Sequence, residues 1–265
     1  MVLAAAGTLF SAVPSSETLI AHRGESFDAP ENTLPAYRMA VDRGFGFECD
    51  IYLSKDKRLF TFHDTDLKRT TAGANTNACT SVDWEGTVSK LNVGGWGKWK
   101  GSAFDPTRPA LLEEVLALAR PGRKIYVEVK GDDPTWVPYI KDVFAKEPKA
   151  TPETVLFISF GKNVCAELKR QMPEFKTFWL SSGKGPVDAA RIVSVLRGLG
   201  VDGVDYRFVP ETVTAEFIGD IKKAGFEFHV WTIDSPDIAA EAFRRGAQTV
   251  TTNRAKFILE SCNGK

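Results

Sequence analysis

The chain has 265 residues, 43% of them hydrophobic and 26% charged, and its 34 basic residues are balanced by 34 acidic ones. This length and apolar content suffice for a sizeable core, and one domain of α/β-barrel size is the starting expectation. The balanced charge excludes a global field that would draw in nucleic acid or an anionic membrane surface, so an anionic small-molecule substrate has to be held by local charge.

Met1 to Pro14 is apolar and built of small residues, too short to span a bilayer and without a basic start. Two readings fit it equally. One is the remnant of a trimmed signal peptide, with Ala4 and Ala6 as cleavage-like residues, which implies an exported or periplasmic protein. The other is an N-terminal arm of a cytoplasmic one. The arm takes in residues 1–18 and the barrel-sized domain residues 19–265. No other stretch reads as transmembrane. Cys49, Cys79, Cys165 and Cys262 are widely spaced and form no CxxC pair, which argues against a zinc knuckle or a thioredoxin-type motif.

From Leu19 onward, short β-rich runs alternate with amphipathic stretches, the pattern of a parallel sheet with crossover helices. Strand-like runs fall at 18–22, 46–53, 58–63, 124–130, 154–159, 176–181, 201–206, 226–232 and 248–252, enough to close a barrel. Between them the helical patterns are TLPAYRMAVDRG, with Thr33 as N-cap and Gly44 after its end, LLEEVLALARPG, stopped by Pro121 and Gly122, and then NVCAELKRQM, DAARIVSVLRGLG, TAEFIGDIKKAG and DIAAEAFRRG. Helices ending in Gly before a β-run recur as βα repeats require, so the spacing suits a TIM-type (β/α)8 barrel better than an open doubly wound sheet. Asp64 to Pro109 departs from the pattern, being rich in Thr, Gly, Asn and Trp, and reads as an insertion after the third strand. It forms either a wall over the substrate or a surface excursion packed by Trp84, Trp96 and Trp99.

In FECDIYL, Glu48 and Asp50 are two apart on a strand and point to one face, while Cys49 points to the other. Two like charges on one face call for a positive partner, and a divalent cation is the economical one, although a pair of exposed strand carboxylates gives the same spacing. In YVEVK, Glu128 and Lys130 share that spacing on a run otherwise read as buried, so Glu128 can complete an oxygen-rich metal site and Lys130 can face a phosphate. A mutual salt bridge is the alternative. Of three histidines, His22 and His63 close strand-like runs, where barrel enzymes place catalytic groups, and this suits acid and base chemistry near neutral pH. His229 reads as a satisfied wall or outward residue. Arg23 and Gly24 offer a guanidinium fork and a tight turn to a phosphate oxygen; Glu31 and Asn32 read as structural or supporting. Trp231 is either an apolar wall for the substrate or core.

The order HRG (22–24), PENT (30–33), ECD (48–50), HD (63–64), EVK (128–130), VWT (230–232) and TTNR (251–254) resembles the glycerophosphodiester phosphodiesterase family over nearly the whole chain from Leu19. The resemblance implies a TIM-type barrel and one divalent ion, Mg²⁺ or Ca²⁺, held by Glu48, Asp50 and Glu128. It further implies phosphate contacts from Arg23 and Lys130, and an acid-base pair of His22 and His63. The implied reaction splits a small glycerophosphodiester into sn-glycerol 3-phosphate and an alcohol, with water or the substrate's own glycerol hydroxyl as nucleophile. PALLEEVL (109–116) and the long Gly/Trp-rich stretch after HD depart from a minimal member and bear on specificity. Two rivals share the pocket. One is a phospholipase D-like enzyme that forms a cyclic phosphate from lysophospholipids or sphingomyelin and needs an apolar or basic rim. The other is a non-catalytic polyol-phosphate binding protein, for which two titratable groups in series would be superfluous.

Overall fold

The computed structural model describes residues 14–185 and 187–263, so the arm or signal expectation for Met1 to Pro14 lies, apart from Pro14, outside the described residues. The strands in chain order are β1 (Leu19–Ala21), β2 (Gly46–Leu53), β3 (Leu59–Thr61), β4 (Ile125–Val129), β5 (Val155–Ser159), β6 (Thr177–Ser181), β7 (Gly203–Arg207), β8 (Glu227–Trp231) and β9 (Val250–Thr252). All fall on the runs read from the sequence, β7 ending one residue later. Eight of them are parallel and run β1-β9-β8-β7-β6-β5-β4-β2, and pairing of β1 with β2 closes the barrel.

The third run is not a stave. β3 pairs antiparallel to β2, with Ile51 opposite Thr61 and Leu53 opposite Leu59. Only Ser54 to Arg58 separates the two strands, far less than a parallel crossover requires, and Lys57 takes φ 64 in the resulting turn. Asp64 to Pro109 follows with three 3₁₀ turns, at Cys79–Ser81, Val88–Lys90 and Gly97–Trp99.

The helices are α1 (Leu34–Asp42), α2 (Leu112–Leu116), α3 (Val137–Phe144), α4 (Lys162–Gln171), α5 (Ala189–Leu199), α6 (Ala215–Lys223), α7 (Pro236–Arg244) and α8 (Ala255–Asn263). Thr33 caps α1 as expected, its hydroxyl accepting from the Ala36 amide. LLEEVLALARPG shrinks to the short α2, and α3 and α8 were not anticipated. Among the described residues no helix is long and apolar enough to cross a membrane.

Strand parity sorts the core into two layers. Cys49, Ile51 and Leu53 of β2 join the shell between barrel and helices, whereas Ile20, Tyr126, Leu156, Ile158, Phe178 and Leu180 fill the barrel, with Trp231 packed against them. The interior is tight: a Cβ on Gly203 would lie 2.2 Å from the Glu227 carbonyl oxygen and 2.8 Å from Phe178. His229 points into this layer and not outward. It stacks on Phe178 at 4.3 Å and its Nδ1 lies 3.2 Å from the Tyr126 hydroxyl, so it is a satisfied core histidine.

Candidate active site

Every side chain read as chemical except His63 lies on or just beyond the carboxyl end of a barrel strand, and His63 follows β3, the antiparallel strand paired with β2. Glu48 and Asp50 enter the barrel from β2, and in the adjoining β4 Glu128 stands directly beside Asp50. All three are buried, and each offers an oxygen such that the three lie within 4.8 Å of one another. Lys130 completes the group, its Nζ 3.1 Å from Asp50 Oδ1 and 2.8 Å from Glu128 Oε1.

One ammonium does not neutralise three buried carboxylates. Burial and the charge of Asp50 drive the Glu48 carboxyl far up, and push Glu128 up to about 8. Burial opposes ionisation of Asp50 as well, but Lys130 and Arg23 outweigh it and hold Asp50 well below the usual range. The Glu48 Oε1 atom is buried without a hydrogen-bond partner, while its Oε2 accepts the Arg23 amide at 2.8 Å. An unsatisfied carboxylate oxygen beside two more is a costly arrangement that a hard divalent cation with oxygen ligands relieves, so the donor set fits such an ion.

The two histidines are pinned through the same ring atom by different partners. His22 Nδ1 lies 2.7 Å from Asn253 Oδ1. The amide of that Asn is itself oriented by Asp234, whose Oδ2 accepts Asn253 Nδ2 at 2.8 Å. Asn253 therefore presents only its oxygen, His22 carries its proton on Nδ1, and Nε2 is left as a lone pair 3.9 Å from Glu48 Oε2. Burial and the neighbouring Arg23 push His22 down to about 4. His63 Nδ1 lies 2.8 Å from Asp64 Oδ1, a carboxylate that supports an imidazolium as Asn253 does not. Burial lowers His63 too, against the pull of Asp50 and Asp64.

Arg69, from the stretch after β3, ties this cluster together. Its Nε donates to Asp64 Oδ2 at 2.7 Å, and its Nη1 and Nη2 donate to Glu31 at 2.8 and 2.7 Å. Glu31 in turn accepts Arg23 Nη1 at 2.8 Å. One guanidinium thus sets the carboxylate behind His63 and the one that aims Arg23. Asn32 donates to Asp50 Oδ2 at 2.7 Å and accepts from the Tyr37 hydroxyl at 2.8 Å. Arg23 and Asn32 both hold left-handed backbone, φ 57 and 56, a strained conformation that turns the Arg23 amide onto Glu48. Gly24 follows at φ 78, where a Cβ would sit 2.6 Å from the Ala36 carbonyl carbon, so the tight turn after His22 needs glycine.

Trp231 stands at the mouth, its Nε1 donating to the Asp205 carbonyl at 3.1 Å and its ring edge-on to Phe160 at 5.6 Å. The tryptophans of the 64–109 stretch do not make an open aromatic wall. Trp84 is buried against Phe60, and Arg69, Lys98 and Arg108 sit over Trp96, Trp99 and Trp84 at 5.0, 4.4 and 5.7 Å. Each ring already carries one of the protein's own cations.

The structure thus gathers His22, His63, Glu48, Asp50, Glu128, Arg23 and Lys130 at one mouth, with Trp231 on its wall. Sequence reasoning missed Asn253, Asp234, Asp64 and Arg69 as partners of the histidines, although the HD and TTNR motifs contain two of them. The assembly can hold a hard cation, bind anionic oxygen and exchange protons at two ring nitrogens.

The profile of the glycerophosphoryl diester phosphodiesterase family matches residues 22–256. A glycerophosphodiester phosphodiesterase of Caldanaerobacter subterraneus subsp. tengcongensis is similar, 27% identical over 247 residues that cover 91% of this chain and 96% of that protein. The fold is similar to that of an Oleispira antarctica phosphodiesterase solved with the product sn-glycerol-3-phosphate, with TM-score 0.81 and 25% identity over 97% of this chain and 99% of that one. It is also similar to a glycerophosphodiester phosphodiesterase from Thermotoga maritima, with TM-score 0.69 and 21% identity over 92% of this chain and 97% of that one. A profile that runs from the histidine after β1 into α8 takes in every barrel strand but β1, and the chain belongs to the glycerophosphoryl diester phosphodiesterase family.

Proposed function

We propose that this phosphodiesterase cleaves small glycerophosphodiesters to sn-glycerol 3-phosphate and an alcohol, with His22 and His63 exchanging protons at a divalent ion, Mg²⁺ or Ca²⁺, bound by Glu48, Asp50 and Glu128. The observation that supports it most is the unpartnered Glu48 oxygen within a carboxylate triad flanked by two histidines whose Nδ1 atoms are both fixed. When bound, the ion would supply positive charge to the phosphoryl oxygens. Arg23 and Lys130 add cationic donors on the same side. His22, backed by a neutral amide, keeps an unprotonated Nε2 and serves as base toward the attacking hydroxyl. His63, whose imidazolium Asp64 supports against the lowering effect of burial, passes a proton from Nε2 to the departing alkoxide.

Alcohol release followed after EDTA treatment and after return of Mg²⁺ or Ca²⁺ tests the reading. Activity that survives complete chelation, or a His63→Ala variant with undiminished turnover on a poor leaving group, would sink it. The lysophospholipid reading is favoured by one observation, an exposed rim in which Phe27 and Phe257 alternate with Lys98 and Arg254. Release of choline from lysophosphatidylcholine vesicles faster than from glycerophosphocholine would select it.

A further inference from the structure

A groove of about 430 Å³ opens on the far side of the catalytic mouth, beyond the carboxyl ends of β5 and β6. Its lining includes Phe160, Trp179, Ser181, Ser182 and Tyr206, and three cations, Lys162, Lys184 and Arg191. It shares a wall with the active site, because Phe160 packs edge-on to Trp231. Among the described residues no carboxylate pairs with any of the three cations; Lys162 rests only over the Trp179 ring, at 5.3 Å. The one acidic residue of the groove, Asp132, is committed elsewhere. Its Oδ1 accepts the amides of Asn163 and Val164 at 2.7 and 3.2 Å, and its Oδ2 the Asn163 side chain at 3.0 Å, which caps α4. Gly183, just after β6, takes φ 67 and lies where a Cβ would come within 3.2 Å of the Tyr206 ring.

Three unpaired cations over an aromatic and hydroxyl-bearing floor favour an anion that also carries an apolar or polyol face. In a glycerophosphodiester the glycerol end has no charge, and the reacting phosphate belongs to Lys130 and Arg23. Only the alcohol can bring a second negative group. β4, which leads to Lys130, and β6, which leads to Ser182, are two staves apart, about 10 Å across the barrel wall at the usual strand spacing. That is the reach of a headgroup with its second charge at its far end.

We infer that the groove of Lys162, Lys184 and Arg191 is a leaving-group subsite for an anionic alcohol, best matched by a phosphorylated polyol, and that the enzyme disfavours cationic headgroups such as choline. The inference rests on the phosphodiesterase reading of the neighbouring site.

The test compares kcat/KM on glycerophosphoinositol 4-phosphate with that on glycerophosphocholine. The wild-type enzyme should favour the former by about tenfold or more, in keeping with one or two charge-assisted contacts. Lys184→Ala with Arg191→Ala should collapse that ratio through KM, and Lys184→Glu with Arg191→Glu should invert it. All three cations are exposed, so the fold tolerates the changes. A ratio near one in the wild type, or a ratio the variants leave intact, overturns the subsite. Calorimetric binding of inositol 1,4-bisphosphate to the full chain separates this from failure of the catalytic reading. Loss of that binding in the double alanine variant, with retention in His63→Ala, supports the subsite even in a protein that cleaves no diester, and unchanged binding in the double variant refutes it even in an active one.

Discussion

Replacing Asp64 by Asn keeps the shape behind His63 and changes only what it accepts. The carboxylate takes His63 Nδ1 at 2.8 Å and two Arg69 donors at 2.7 and 3.0 Å, so both oxygens are in use. An amide has one oxygen for three donors. If that oxygen stays with the permanently charged Arg69 Nε, the NH₂ group faces His63 Nδ1, which then has to become the acceptor and move its proton to Nε2. If it turns toward His63 instead, NH₂ meets the guanidinium. Either outcome takes the carboxylate away from the His63 imidazolium that has to deliver a proton, and the same Asp→Asn change behind the histidine of a serine protease, which acts first as a base, lowers kcat by about 10⁴. Here Asp64 is partly open to solvent and the histidine has one proton transfer to make, so a loss of about 10² to 10⁴ in kcat with KM within about threefold is expected. Stability should fall by no more than about 1 kcal/mol, because the lost pair is screened. Asp64 is held down to about 2 by its hydrogen bonds to Arg69 and His63 against a smaller pull of solvent loss than theirs together, so its share of stability is present above pH 4 and fades as pH falls through about 2. Because Asp64 also raises the His63 pKa, the activity limb that needs protonated His63 should move to lower pH in the variant. Steady-state alcohol release across pH, with a thermal melt, reads all of this. A variant with kcat within about threefold of wild type and an unmoved profile would refute the positioning argument.

Three further outcomes follow from the site and its surroundings. Because burial and Asp50 push Glu128 up to about 8, a divalent ion has to displace a proton; its apparent affinity should rise as pH climbs through that value, with proton release visible by calorimetry in buffers of different ionisation heat, and equal affinity at pH 6.5 and pH 9 would count against the three-carboxylate site. The same shift makes the ion-free fold bind its proton more tightly than the unfolded chain, so its Tm should fall as pH rises from 4.5 to about 8, and added Mg²⁺ or Ca²⁺ should restore it. Trp84→Leu should cost about 2 kcal/mol by leaving a cavity beside Phe60, while the choline-to-ethanolamine ratio of catalytic efficiencies stays constant; a shift in that ratio at unchanged stability would return Trp84 to the substrate wall.

Local rules made much of this protein legible. A strand alternates its side chains, so the spacing of Glu48 and Asp50, and of Glu128 and Lys130, was enough to send each pair to one face, and the turn chemistry of Thr33 was enough to start α1. The positions of His22 and His63 at strand ends were readable for the same reason, since strand existence is a local property of the chain. What the sequence did not determine is which residue meets which across the barrel. That His22 answers to Asn253, 231 residues away, and Arg69 to Glu31, 38 away, is decided by closure of β1 on β9 and by the path of the stretch after β3, and no periodicity encodes either. The sign of β3 was within reach, because Ser54 to Arg58 is too short for a crossover, yet its pattern is that of any buried strand. Trp84 has the composition of a binding wall and the burial of a core residue, and Lys162, Lys184 and Arg191 look like scattered surface charge until β5, β6 and α5 bring them around one groove. Alternation and capping depend on neighbours a few bonds away; the identity of a partner depends on a contact that exists only once the barrel has closed.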